Sequence, residues 1–171
     1  MHSVRRMLAV IGLLTGLLSL SLPALPASAA DNYPWRYSTV SAPDPWGFTQ
    51  RQCVSFTAFR LALAHHRILN TRNQWGNASH WDEEAGRHRM TITRRPKVGS
   101  VAQWNAYERG AYYAHGSATA NGWFRAGAYG HVGYVTGIYA DGSVRIEQYN
   151  LFGTRTWSAI RVRAPRYLYI Q

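Results

Sequence analysis

Cysteine is almost absent from this chain, because Cys53 is the one cysteine among its 171 residues. An internal disulfide is therefore excluded, together with the paired-cysteine frameworks that hold many small exported domains together. A lone thiol has three interpretations: an inert buried side chain, a link between two copies of the chain, or a nucleophile. Cysteine counting alone leaves all three open.

Negative charge is scarce as well, since 8 Asp and Glu stand against 19 Lys and Arg, of which 18 are arginine. Acidic residues are too few near Cys53 for a calcium loop, and no Cys-x-x-Cys or His-x-x-x-His spacing indicates zinc, so we expect no metal and no cofactor. The positive excess suits an anionic polymer, such as a polyanionic cell wall, nucleic acid or lipid head groups. Because the charges are scattered, with pairs such as Arg94 and Arg95 the main clusters, a solvated basic surface is the simpler interpretation. We expect no specific nucleic-acid partner.

Long apolar runs are confined to residues 7–22. Arginines precede this run and prolines and small residues follow it, which is the pattern of a signal peptide cleaved after residue 29 or 30. We therefore expect residues 1–29 to be removed, residues 30–43 to form an extended arm, and residues 44–171 to form one catalytic domain. The mature protein is expected to be secreted, monomeric and free of the membrane.

The clearest structural signals are a helix and a hairpin. Apolar residues at helical spacing predict a helix over 53–69, with Thr49 as its N-cap. Alternating residues on both sides of Asp141 and Gly142 predict a β-hairpin with a two-residue turn. Helices followed by strands predict an α+β fold, with N-terminal helices packed on an antiparallel β-sheet meander. The other expected elements are a loop and short helix over 75–89 that stops at Gly86, a strand over 100–104, a mostly irregular segment over 105–128, and strands near 154–162 and 166–170.

Cys53 lies in the first turn of the predicted helix. Free backbone N–H groups and the positive end of the helix dipole favour an anion there, which predicts a thiol drawn toward thiolate. A thiol nucleophile also needs a base and a third group that orients the base. Among seven histidines, His131 is the best candidate, because it opens a strand directly after a glycine, where the backbone can approach another element closely. Glu147 on the returning strand is the candidate acid, although strict pairing about the turn places residue 152 opposite His131.

Four stretches together resemble the CHAP domain, the cysteine- and histidine-dependent amidohydrolase/peptidase module of bacterial cell-wall enzymes, related to the NlpC/P60 and papain-like group. They read RQCVSFTAFRLA, WGNASHWDEEA, RPKVGSVAQW and GHVGYVTGIYADGSVRIEQYN, in the family's order. The resemblance implies a papain-like or NlpC/P60-like fold with Cys53 as nucleophile, His131 as general base and acid, and Glu147 as the residue that orients the imidazole. It further implies Asn150 as an added polar partner and Gln52 as a donor to the oxyanion.

The implied substrate is peptidoglycan, cut at the N-acetylmuramoyl–L-alanine amide or within a stem or cross-bridge peptide, by a secreted protein associated with the wall. Trp46, Trp75, Trp123 and Tyr149 are candidates for substrate contacts, whereas Trp81 and Trp104 are expected in the core. Two alternatives stay open. One is a non-catalytic module that binds the wall or another polyanion, and the other is an amidase or peptidase of the same chemistry that acts on another cell.

Overall fold

The computed structural model of the chain describes residues 30–113 and 120–171. The signal peptide predicted over 1–29 lies outside the described residues, as do residues 114–119 of the segment predicted to be irregular. Within the described part, no helix has both the length and the apolar character needed to cross a bilayer.

Among the described residues, two α-helices precede an eight-stranded antiparallel sheet. The helices are α1 (Cys53–Leu63) and α2 (Trp81–Arg87), and short 3-10 turns cover Thr71–Asn73 and Ala78–His80. The strands are β1 (Thr91–Thr93), β2 (Val101–Trp104), β3 (Arg109–Tyr113), β4 (Gly122–Arg125), β5 (His131–Ile138), β6 (Val144–Tyr149), β7 (Trp157–Arg163) and β8 (Arg166–Tyr169).

Helix α1 is shorter than its apolar pattern predicts. It ends at Leu63 because His65 takes a left-handed φ of 62°, which stops the helical hydrogen bonding. The predicted N-cap, Thr49, is wrong: the extended residue before the helix is Gln52, and its side chain makes no capping hydrogen bond. The predicted stop at Gly86 is also wrong, since α2 continues through it to Arg87.

The strand order is β1-β8-β2-β5-β6-β7-β3-β4. The predicted meander is therefore correct for β5, β6 and β7, whereas β2 lies on the other side of β5 and the last strand, β8, pairs between β1 and β2. The prediction of a mostly irregular segment over 105–128 is wrong, because it contains β3 and β4, which pair with each other and extend the sheet beyond β7. This part of the protein is dominated by the sheet more than the sequence indicates.

The predicted β5–β6 hairpin is confirmed, with one irregularity that matters for the site. Near the turn Gly137 pairs with Arg145, but farther along Val135 pairs with Ile146 and Tyr134 with Glu147. One extra residue, Thr136, therefore lies on β5 between the two registers, as in a β-bulge.

The core has three parts. Helices α1 and α2 pack on one face of the sheet in a cluster that includes Leu61, Trp81 and Val132, and a second cluster that includes Trp104 and Ile146 fills the other face. A third, aromatic cluster joins α1 to Tyr33 of the N-terminal arm, which is fully buried. The arm is thus packed into the domain at Tyr33, instead of only lying over its surface.

Candidate active site

Cys53 is brought to the first residues of β5 by the packing of α1 on that strand. The thiol is partly buried, and the backbone of Val132, the residue after His131, is close enough to the sulfur to lower its pKa. The fold therefore brings Cys53 to the start of β5, which follows it in the sequence by 78 positions.

His131 is positioned by the glycine before it. Gly130 has a φ of +72°, and a Cβ there would lie 2.5 Å from the carbonyl oxygen of Trp104 and 2.6 Å from the amide nitrogen of Ser79. Only glycine permits both the left-handed backbone and this close approach. His131 itself is 3% exposed, and its ring centroid lies 6.0 Å from that of Trp104.

The residue that β6 presents to the imidazole is Gln148, not Glu147. Gly133 shares a strand face with His131, and a Cβ on Gly133 would lie 3.3 Å from the Cβ of Gln148, which places Gln148 on that face too. The side chain of Gln148 is close enough to His131 to raise the pKa of the imidazole. Glu147, directly opposite Tyr134, belongs to the other face. The prediction that Glu147 orients the imidazole is therefore corrected to Gln148.

Gln148 is itself held in place. It is 2% exposed, its Nε2 donates to the hydroxyl of Ser158 on β7, and its Oε1 accepts the backbone N–H of Leu151 at 3.0 Å. Strand alternation could have identified it. Even with the pairing predicted from the turn, even-numbered residues of β6 share the face of His131, whereas the family resemblance implies the odd-numbered Glu147.

Glu147 has a different partner in the interface between α1 and the sheet. Its Oε2 lies 3.2 Å from Nη1 of Arg60, and the Glu147 side chain is 5% exposed. The guanidinium of Arg60 also lies over the ring of Tyr134, 5.1 Å from the centroid. This ion pair attaches the outer part of α1 to β5 and β6, so its contribution is to stability.

The second amide near the end of β6 belongs to Asn150, and it contacts Gln52 instead of His131. Nδ2 of Asn150 donates to Oε1 of Gln52 at 2.7 Å, and Oδ1 of Asn150 accepts the backbone N–H of Arg155 at 2.7 Å. Gln52 lies immediately before Cys53 and lines the same cleft. With its oxygen bonded to Asn150, the amide nitrogen of Gln52 is the end available to donate a hydrogen bond.

Burial controls the protonation of both candidate catalytic groups. Desolvation raises the pKa of Cys53 to about 11, and the hydrogen bonds from the backbone of Val132, Val54 and Cys53 itself offset only part of that rise. Desolvation also lowers the pKa of His131 to about 3, against the opposing effect of the bond to Gln148. The resting pair at neutral pH is therefore a thiol and a neutral imidazole. Desolvation of the sulfur thus opposes the predicted resting thiolate, because it outweighs the effect of the N–H groups at the helix start.

The cleft at Cys53 has a volume of about 560 Å³. Carboxamides dominate its polar lining, with aromatic and histidine side chains at Tyr129 and His80; the amides are Gln52, Asn70, Asn73 and Asn77.

None of the four aromatic residues predicted to contact substrate lines the cleft. Trp75 and Tyr149 are 3% and 1% exposed, respectively, and pack in the core. Trp46 packs edge-on against Trp35, and Trp123 is exposed on β4, elsewhere on the surface. The expectation that Trp81 and Trp104 are core residues is confirmed, since both are fully buried.

Within residues 30–113 and 120–171 there is no cluster of three or more His, Cys, Asp or Glu side chains able to hold a metal ion. The cleft lining supplies the thiol of Cys53, the imidazole of His80 and four carboxamides; His131 is not among the lining residues but precedes Val132, whose backbone acts on the sulfur. A thiol and an imidazole together can carry out acyl transfer, with sulfur as nucleophile and nitrogen as base.

Comparison with known proteins gives a consistent result. The family model described as the CHAP domain matches residues 43–150. The staphylococcal secretory antigens ssaA2 and SsaA of Staphylococcus aureus are 34% and 36% identical to the chain over 103 residues, which are 60% of this chain and 29% and 30% of those proteins. The chain therefore spans about a third of the length of these relatives.

A solved structure has a similar fold. The crystal structure of an N-acetylmuramoyl-L-alanine amidase from Staphylococcus aureus superposes with a TM-score of 0.58 at 22% identity, covering 77% of this chain and 33% of that one.

Proposed function

Since the chain belongs to the CHAP domain family, we propose that it is a secreted peptidoglycan hydrolase that cleaves an amide bond through a thioester on Cys53. The observation that carries this proposal is the placement of the thiol. Cys53 opens α1, borders a cleft of about 560 Å³, and lies close enough to the start of β5 for the backbone of Val132, next to His131, to lower the pKa of the sulfur. A buried thiol with no catalytic role would need neither the cleft nor the adjoining base.

The reaction begins from the neutral pair. As the sulfur of Cys53 attacks the amide carbonyl, neutral His131 accepts the thiol proton, so that the ion pair forms during the attack instead of before it. The developing oxyanion accepts hydrogen bonds from the backbone N–H of Cys53 and the side-chain amide of Gln52, which Asn150 orients. Imidazolium then donates its proton to the leaving amine, and the C–N bond breaks to leave a thioester.

Hydrolysis of the thioester uses the same groups in reverse. His131 removes a proton from water as the oxygen attacks the acyl carbon, and then returns the proton to the departing sulfur of Cys53. Gln148 keeps the imidazole oriented through both halves by its hydrogen bond. Because this third group is an amide, it fixes the ring without adding a negative charge to the buried site.

The substrate is proposed from the cleft and from the relatives. Carboxamides that both donate and accept hydrogen bonds suit the peptide groups of a stem or cross-bridge. The similar solved structure is titled an N-acetylmuramoyl-L-alanine amidase, and the curated relatives are named secretory antigens. These names favour an exported enzyme of the wall that acts on that amide or on a nearby peptide bond.

The test is mass spectrometry of purified peptidoglycan after digestion by the wild type, Cys53→Ala and His131→Ala. New amino termini that require both Cys53 and His131 are expected, and their position identifies the bond. Asn105→Ala, a change in a turn outside the cleft, is a matched control that should give the wild-type products. Identical products from the wild type and Cys53→Ala would contradict the proposal.

A further inference from the structure

Five arginines share one face of the sheet at β3, β4, β6 and β7. Arg109 on β3 is directly opposite Arg125 on β4, and Arg145 on β6 is directly opposite Arg161 on β7. Arg163 on β7 is opposite Ala111 and completes the set. Because opposed residues in an antiparallel pair project to the same side, these five side chains form one surface, called here the arginine face.

The arginine face destabilises the folded protein when no ligand is bound. Like charges directly opposite each other destabilise a strand pair, and this sheet contains two such pairs side by side. The acidic residue that forms ion pairs with these arginines is Asp141, whose Oδ2 lies 3.0 Å from Nη2 of Arg161 and 3.5 Å from Nη2 of Arg163. Hydrogen bonds from Ser143, together with Arg161, hold the pKa of Asp141 near 2, so the carboxylate stays charged and neutralises one of five cations.

Aromatic rings hold the guanidinium groups on this face. Arg109 lies over the ring of Trp123 at 5.2 Å, and Arg125 lies over that of Tyr107 at 5.3 Å. Arg161 lies between two rings, 4.5 Å from the centroid of Tyr113 and 4.1 Å from that of Tyr139. Trp123 is 63% exposed, which is unusual for a tryptophan unless it serves a surface interaction. The rings restrict the arginines before any ligand arrives, and this lowers the entropy lost on binding.

Side chains two residues apart on one strand face are about 6.8 Å apart, and neighbouring strands are about 4.8 Å apart. The arginine face therefore offers a two-dimensional array of guanidinium groups, which bind phosphate well; Arg161, which already donates to Ser143 and pairs with Asp141, contributes least to it. Arg145, Arg161 and Arg163 lie near the turn of the β5–β6 hairpin, at the end opposite His131. This surface is thus distinct from the cleft at Cys53.

We propose that the arginine face binds a linear polyphosphodiester of the cell wall and so holds the enzyme on its substrate. The choice of a wall polymer rests on the proposed function, whereas the choice of a phosphate chain rests on the array itself. Total charge indicates an anionic polymer only as one possibility, because the cations are scattered along the sequence, with Arg94 and Arg95 as a main cluster. The fold instead concentrates the cations on β3, β4, β6 and β7.

The experiment measures binding of lipid-free poly(glycerol phosphate) to the Cys53→Ala protein, so that its outcome does not depend on hydrolysis. Three exposed members of the face are replaced together in Arg109→Gln, Arg125→Gln, Arg163→Gln. The matched control is Arg67→Gln, Arg94→Gln, Arg95→Gln, which removes the same charge from exposed positions elsewhere. Circular dichroism and thermal unfolding check that both triple variants fold.

Because Asp141 neutralises one of the five cations, four phosphate contacts give a salt slope of about −2.8, so wild-type affinity should fall about 50-fold between 50 and 200 mM salt. The face variant, with one contact left, should have a slope of about −0.7 and lose only about 3-fold over the same range. It should also bind at least tenfold more weakly at 50 mM salt, while the control binds nearly as the wild type does.

Equal losses in both triple variants would overturn the proposal, because net charge alone would then explain binding. Unchanged binding by the face variant would overturn it as well. Tighter binding of a single-stranded DNA oligonucleotide of equal charge would show a nucleic-acid surface and contradict the assignment to a wall polymer. If the wild-type protein binds the polymer but releases no Cys53-dependent products from peptidoglycan, only the proposed function is refuted.

Discussion

Replacing Gln148 by Glu tests the identity of the group that orients the imidazole. Gln148 touches His131 and is fixed by Ser158 and Leu151, so a glutamate of nearly the same shape places a carboxylate at the same position. A negative charge in contact with a titratable group raises the pKa of a histidine by about 1 to 3 units. The pKa of His131 should therefore rise from about 3 to between about 4 and 6.

The sign of the pH effect follows from the role of His131 as a base. The imidazole must be neutral to accept the thiol proton, so the acid limb of kcat/KM should move to higher pH in Gln148→Glu. Stability changes in the same window: the folded pKa of His131 is depressed below its ordinary value of 6.5, so its stabilising contribution is lost as pH falls from 6.5 toward 3. Each pKa unit corresponds to about 1.4 kcal/mol, so the loss of folding stability that His131 causes at acid pH should be smaller by roughly 1 to 4 kcal/mol in the variant.

The assay is an NMR titration of the imidazole Cε1 proton, with His131→Gln used to assign the signal, alongside pH profiles of kcat/KM. Glu147→Gln is the matched control, because it removes a carboxylate one residue away on the other face of β6. A titration midpoint of His131 that stays near 3 in Gln148→Glu, or that moves in Glu147→Gln instead, would show that Gln148 does not orient the imidazole.

Three further predictions concern neighbouring groups. Glu147→Gln should lower the free energy of unfolding by about 1 to 3 kcal/mol in urea denaturation, because Arg60 loses its buried partner but keeps partial contact with water; no change would mean that the ion pair is unimportant. Asn150→Ala should lower kcat by roughly tenfold with little change in KM, because Gln52 loses its 2.7 Å hydrogen bond and the effect falls on the oxyanion; a change confined to KM would place Asn150 in ground-state binding. Alkylation of Cys53 by iodoacetamide should be slow at pH 7 and still rising at pH 9, because the thiol pKa lies near 11; a plateau below pH 7 would restore the resting thiolate.

The parts of the fold with strong local signals were predictable. Asp-Gly at 141–142 predicts the β5–β6 hairpin, and apolar spacing predicts α1, whose first residue is indeed Cys53. Strands β3 and β4 were missed because glycine, alanine and tyrosine give no clean alternation there, and their pairing depends on β7, which is about 50 residues away along the chain. The left-handed turn that ends α1 is formed by His65 and not by a glycine, so the sequence does not indicate it.

For the site, the sequence predicted that the start of α1 meets strands β5 and β6, but not which side chains face each other there. Chemistry and the family resemblance selected Cys53 and His131, and the structure places them on adjoining backbone. Glu147 is the acid that the resemblance implies, but one position along a strand reverses the face, and strict alternation places Gln148 on the side of His131. The protonation state also depends on burial, which the position at a helix start does not reveal.

The most direct measurement of the central claim is a search for the acyl-enzyme by intact-protein mass spectrometry after acid quenching of a reaction with peptidoglycan fragments. An adduct with the mass of the acyl half of the cleaved bond is expected, located by trypsin digestion to residues 52–60 and accumulating when hydrolysis is slowed. The adduct should be absent in Cys53→Ala, which should also release no product. Turnover by Cys53→Ala, or an adduct on any other residue, would contradict the claim that Cys53 is the nucleophile.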